Sequence, residues 1–170
     1  MAFSSLALTI AYWLHMLATV VWIGTLAALA LIVIPSARKS LDPSTYSALL
    51  AQIQARLQPI GWFCLAVLGV TGMFQMSANP SYDGFLAITN NWTAAILMKH
   101  LVIGILVLTS AYMTWVVLPN LQRAALLRAA GKYVEEARIN RLAQDESRLL
   151  VLNLILSVIV LALTAWARAA

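Results

Sequence analysis

The stretch LALTIAYWLHMLATVVWIGTLAALALIVI, residues 6–34, decides the fold: it holds one histidine, His15, and no Asp, Glu, Lys or Arg. As a helix rising about 1.5 Å per residue it can cross a hydrocarbon layer of about 30 Å. Three more apolar runs follow, at roughly Pro59–Met76, Trp92–Leu118 and Leu149–Trp166. The 170 residues are 62% hydrophobic and 10% charged, with mean hydropathy +0.86. A soluble domain has about 25% charged residues and under half apolar ones. The expected fold is therefore all-α: one domain over residues 1–170, an integral membrane four-helix bundle whose solvent is the lipid bilayer. No basic segment precedes the first run and no small-residue cleavage site follows it before Pro35, so a retained helix is expected.

Charge sets the orientation. Arg38, Lys39 and Arg56 lie between the first two runs, and Arg123, Arg128, Lys132, Arg138, Arg141 and Arg148 between the last two. The middle connection, Ser77–Asn91, has Asp83 and no Lys or Arg, within a turn-rich Asn79-Pro80-Ser81-Tyr82-Asp83-Gly84. Basic loops stay cytoplasmic. Both termini are then expected outside, in a bacterial cytoplasmic (inner) membrane. The leucines of Leu121–Leu142, with Arg and Glu between them, predict helical extensions on the cytoplasmic side, and Asp42-Pro43-Ser44 predicts a helix start. No internal repeat is evident.

The net charge of +5 belongs to this topology and does not indicate nucleic acid. The single cysteine, Cys64, excludes a disulfide framework and paired-thiolate zinc sites. No Gly-rich phosphate loop or dinucleotide fingerprint occurs. No carboxylate falls inside the four runs, which argues against a proton relay built on acidic side chains.

Ionisable groups at membrane depth are costly unless used or paired, and His15, Lys99 and His100 are the ones present. His15 lies nine residues into its run and His100 eight into a run entered from the same side, so both sit roughly 12 Å deep. Spans one and three of an up-down bundle are diagonally opposite, and two level imidazoles suit a flat tetrapyrrole with one axial histidine from each side. Gly104 one turn beyond His100, with Ala11 and Ala18 flanking His15, leaves room, although small residues also serve plain helix packing. Trp22 is placed to wall the pocket floor. Lys99 either snorkels to the interface or offers a counter-charge to an anionic group. Met16, Met73, Met76 and Met98 fall in the outer half, where they are gap-fillers or, with the histidines, soft ligands for copper.

Span one, His15-Met-Leu-Ala-Thr-Val-Val-Trp22-Ile-Gly24, resembles the opening helix of CopD-type copper-resistance membrane domains. Together with Trp92…Lys99-His100 and Arg141-Leu-Ala-Gln-Asp-Glu-Ser, it is also similar to the related HemJ-type protoporphyrinogen oxidases. That resemblance implies a four-helix membrane domain with His15 as a haem ligand and Lys99 as a functional lysine. The HemJ-type pattern has a histidine two residues before this lysine, where the chain has Leu97, and its arginine motif at the end of span one is replaced by Leu31-Ile-Val-Ile-Pro35. A haem-binding relative fits better than the oxidase.

The expectation is a haem b-binding membrane protein with His15 and His100 as axial ligands, working in electron transfer or porphyrin redox chemistry. Lys99, Gly104 and Trp22 are expected beside the cofactor. The alternatives are a copper-handling protein and a structural subunit of a larger membrane complex. Partners follow accordingly: a membrane redox protein, a larger complex or a second copy. Whether the protein is an enzyme stays open in the sequence.

Overall fold

A computed structural model describes residues 5–169, apart from Asp83, residues 85–87, Lys132 and Val134, and apart from the side chains of Pro43, Ser44, Ser47, Ala129 and Glu136. The charges of Asp83 and Lys132 therefore lie outside the described residues. Six helices run in order: α1 (Ser5–Ala27), α2 (Ile34–Ser40), α3 (Pro43–Ser77), α4 (Asn91–Tyr112), α5 (Leu118–Ala129) and α6 (Glu136–Ala169). Two π-helical segments, Ala28–Val33 and Met113–Val117, join α1 to α2 and α4 to α5. The result is four rods, each long and apolar enough to cross a membrane, and no strand among the described residues. The protein is an all-α membrane four-helix bundle.

The rods outrun the apolar stretches at one end. The first continues past Ile34 to Ser40, the second begins at Pro43, the third reaches Ala129, and the fourth begins at Glu136. Hydropathy marks only where lipid meets a helix, whereas the helix continues wherever its backbone bonds do. This end carries Arg38, Lys39, Arg123, Arg128, Arg138, Arg141 and Arg148 and is called the basic end. Ser5 and Ala169 lie at the other, terminal end.

Local chemistry explains the starts and stops. Asp42 Oδ2 accepts from the Thr45 amide at 3.0 Å and Pro43 opens α3, as the sequence predicts. Asn90 caps α4 in a reciprocal box, its Oδ1 accepting from Thr93 N at 2.8 Å while Thr93 Oγ1 accepts from Asn90 N at 3.1 Å. Gly131, at φ +70°, ends α5 in a backbone conformation costly for other residues.

The π segments have a common cause. Each stops one residue before an X-Pro pair, Ile34-Pro35 or Leu118-Pro119. Proline supplies no amide donor and crowds the carbonyl four residues back. The preceding turn widens: Ile34 N bonds to Leu29 O and Leu118 N to Met113 O, five residues apart.

The matching π–Pro elements reveal an internal echo that the sequence alone did not make evident. His15 stands 20 residues before Pro35, and His100 19 before Pro119. Ala51-Gln52-Ile53-Gln54-Ala55-Arg56-Leu57 on α3 parallels Ala143-Gln144-Asp145-Glu146-Ser147-Arg148-Leu149 on α6. The two hairpins, α1–α3 and α4–α6, share these local features.

The hairpins meet through α1 against α6 and α3 against α5, and α1 and α4 make no substantial contact, the diagonal placement expected. The fourth edge closes toward the basic end, where Trp62 stacks on Trp115 at 5.4 Å and donates to Thr114 Oγ1 at 3.3 Å. Along α4 itself that edge is unpacked: α3 and α4 have no substantial contact among the described residues. The core also lies in the basic half, where Leu26, Leu29, Ile34, Leu50 and Leu150 form one buried cluster.

Candidate functional site

His15 is the eleventh residue of α1 and His100 the tenth of α4, about 15 and 14 Å along helices that start at the same end. The ring of His15 turns toward α3. Its Nδ1 lies 2.8 Å from Thr71 Oγ1, and Thr71 donates its own hydroxyl proton to Val67 O at 2.6 Å. Thr71 can thus only accept from the imidazole, which fixes the proton on Nδ1 and leaves the lone pair on Nε2. The ring lies against Gly72, where a Cβ would come into van der Waals contact with His15 Cε1 at 3.4 Å. One turn away Gln75 donates to Ala11 O at 3.1 Å. Ala11 and Ala18 are buried on the same face as His15.

His100 follows the same rule. Its Nδ1 is 2.7 Å from the backbone carbonyl of Ile96, which can only accept, so Nδ1 holds the proton here too and the lone pair is on Nε2. Anchoring one ring nitrogen on an oxygen while the other keeps its lone pair is how proteins orient metal-ligating histidines.

The remaining expected residues divide. Lys99 is half-buried on α4, and Arg168, at the same end of the bundle, lies over the Tyr12 ring at 5.2 Å. Gly104 is exposed, with nothing within 4 Å of a Cβ built on it. Met16, Met73 and Met98 are exposed and Met76 is buried. Among the described residues no group of three or more His, Cys, Asp or Glu could hold a metal ion. Trp22 donates to Ser157 Oγ at 3.1 Å and packs on Gly61, where a Cβ would come within 3.1 Å of Trp22 Cζ3. It lines a small cavity of about 60 Å³ together with Gln54, Ser110 and Asn153.

Sequence reasoning missed the polar interior of the basic half. Glu146 and Asn153 are 0% exposed and Gln54 4%. Gln54 donates to Glu146 Oε1 at 2.9 Å, so the matching positions of the two hairpins are bonded to each other. Thr109 donates to Asn153 Oδ1 at 2.6 Å. Ser110 Oγ, Glu146 Oε2 and Asn153 Nδ2 have no hydrogen-bond partner among the described residues. The signal was present: Glu146, Leu150, Asn153 and Ser157 repeat at helical spacing and form the buried stripe of α6. A second cavity, about 590 Å³, lies at the basic end with Arg38, Tyr46, Gln54 and Glu146 in its wall. Neither cavity is lined by His15 or His100.

Residues 17–130 match the family described as a domain of unknown function, DUF4149. The chain belongs to that family. The DUF4149 match takes in both π–Pro elements, Trp22, Gln54 and His100, while His15 and Glu146 lie outside it. No curated protein and no solved structure matches the chain.

Proposed function

We propose that this DUF4149 protein binds haem b within the membrane, with His15 and His100 as axial ligands, and works in electron transfer. The observation that carries the reading is the shared tautomer: both imidazoles anchor Nδ1–H on an oxygen and keep the Nε2 lone pair, on helices that run the same way. The donor set also fits a porphyrin better than a bare ion. A tetrapyrrole brings four nitrogens and needs two ligands from the protein, whereas a bare metal ion needs three or four side chains. No group of three His, Cys, Asp or Glu is present among the described residues, which leaves methionines alone to complete a copper site. The unpacked α3–α4 edge supports the reading further, because a planar ring needs a side of the bundle that helix packing does not close. The resemblance to HemJ-type proteins points the same way.

When bound, a bis-imidazole haem is coordinatively saturated and passes single electrons rather than activating oxygen. The chain's own part is to orient: Thr71 and the Ile96 carbonyl fix the two rings. Lys99 would supply a positive charge for a propionate. The basic end is placed in the cytoplasm by the positive-inside rule, with the termini outside a bacterial inner membrane. The histidines then lie in the outer half, facing a redox partner on that side.

The test is the visible spectrum of the purified protein, oxidised and dithionite-reduced, with metal analysis on the same sample. A Soret band with sharp reduced α and β bands, lost in His15→Ala and in His100→Ala, is the expected outcome. Bound copper without visible bands, or a spectrum that both variants leave unchanged, overturns the reading.

A further inference from the structure

The basic-end cavity has the size and chemistry of a ligand site separate from the histidines. Its volume of about 590 Å³ falls within the range of small-molecule pockets, about 300–1,000 Å³. Glu146 lines it, wholly buried, with Oε1 taken by Gln54 and Oε2 without a hydrogen-bond partner among the described residues, while the charge of Arg38 acts on the carboxyl. A carboxyl oxygen left bare in the interior is expensive. As a carboxylate it can only accept, so what completes it must donate. A divalent cation is a poor candidate, since among the described residues no second carboxylate, histidine or thiolate lines the cavity. The rest of the wall combines leucines, among them Leu41, Leu50 and Leu121, with two cations, Arg38 and Arg128. Arg38 is held in place: Nη2 donates to Ala143 O and Ser147 Oγ, both at 2.9 Å, and Nε to Tyr46 Oη at 3.3 Å.

We propose that this cavity binds a zwitterion, its protonated primary amine on Glu146 Oε2, its acidic group toward Arg38 and Arg128, and its apolar body along the leucines. Location adds to the chemistry. Gln54 of the first hairpin and Glu146 of the second meet in the wall of the cavity, so it opens where the two hairpins join. The same chemistry comes from two sources, a soluble amino acid-like molecule or the headgroup of an aminophospholipid.

The test uses the full chain in nanodiscs of phosphatidylcholine, which has no primary amine, with 6-aminohexanoate as the probe in equilibrium dialysis. Wild type is expected to bind it, to bind hexanoate far more weakly, and to lose about 30-fold or more in Glu146→Gln, as when one partner of a buried charge pair is removed. Glu146→Gln keeps the side-chain shape, and an unchanged melting curve and helicity would exclude misfolding. Arg38→Gln is expected to weaken the probe less. Loss of probe binding in phosphatidylethanolamine nanodiscs supports the proposal with lipid as the source, and retention supports a soluble one. Absence of binding in phosphatidylcholine nanodiscs overturns it, as does equal binding by Glu146→Gln.

Discussion

Gln54 and Glu146 should behave as one unit, and a double-mutant cycle measures whether they do. Both are buried, joined by a 2.9 Å bond, and Glu146 Oε2 already lacks a partner. Gln54→Leu leaves the whole carboxyl without a donor, a loss of about 3–5 kcal/mol for a broken buried polar pair. Glu146→Leu removes the costly group but orphans the Gln54 amide, and the roughly 1–3 kcal/mol of that orphan offsets most of the gain. The double variant replaces the pair with two apolar side chains and should be neutral, or more stable than wild type by about 1–4 kcal/mol. With the Glu146 change near neutral, the expected coupling is therefore at least about 3 kcal/mol. Unfolding by SDS in mixed micelles, followed by far-UV circular dichroism for all four proteins, reads it directly. If the two single changes add to within about 0.5 kcal/mol, the residues are independent and the reasoning from their bond fails.

Gly61→Ala should destabilise by about 1–2 kcal/mol, because its Cβ would press on Trp22 and strain the bond to Ser157, whereas Gly69→Ala meets open space and should be neutral or gain up to about 1 kcal/mol; thermal melts in detergent compare the two. Thr71→Val keeps shape but removes the acceptor of His15 Nδ1, so a haem-loaded sample should show a shifted midpoint potential, and an unchanged potential would deny Thr71 an orienting role. Gly131→Ala forces a side chain into φ +70° and should cost about 1 kcal/mol, seen as a lower melting temperature with the α5–α6 turn as the first segment to exchange its amides.

The bundle was legible because apolar runs longer than the hydrocarbon layer admit few structures other than membrane helices. The helix ends were legible in part: Asp42-Pro43 marked the start of α3 and the leucines of 121–142 the extensions in α5 and α6, but hydropathy falls silent there and gave no inward face. Glu146 was lost for that reason: it sits three residues before Leu149, among Arg141 and Arg148, in a segment that reads as a solvated hairpin. Only the closing of the four-helix bundle, in which Gln54 of α3 meets it across the interior, turns it inward. The level of the two histidines was countable from the sequence, but their ring directions were not, because Thr71 is 56 residues away from His15. The internal echo stayed hidden for a simpler reason. Pro35 to Gln54 spans 19 residues and Pro119 to Glu146 27, so no single offset aligns both halves.

The stripe on α6 frames the energetic question the fold poses. Positions 146, 153 and 157 face the interior, and leucines there would pack without leaving orphaned polar atoms. In a membrane, interhelical hydrogen bonds are worth only about 0.6 kcal/mol on average, too little to offset a bare carboxyl oxygen and a bare amide. Hairpin recognition explains part of the arrangement, since Gln54 with Glu146 and Thr109 with Asn153 hold helix pairs in register. It does not explain Glu146 Oε2, which registers nothing. An isosteric glutamine would keep an acceptor for Gln54 without a group whose charged form burial penalises, so the carboxyl, like the Asn153 amide, is a feature of the stripe that packing and register leave over. That excess is what a ligand with a donor to give would use, and it sits where the two hairpins meet a cavity large enough to admit one.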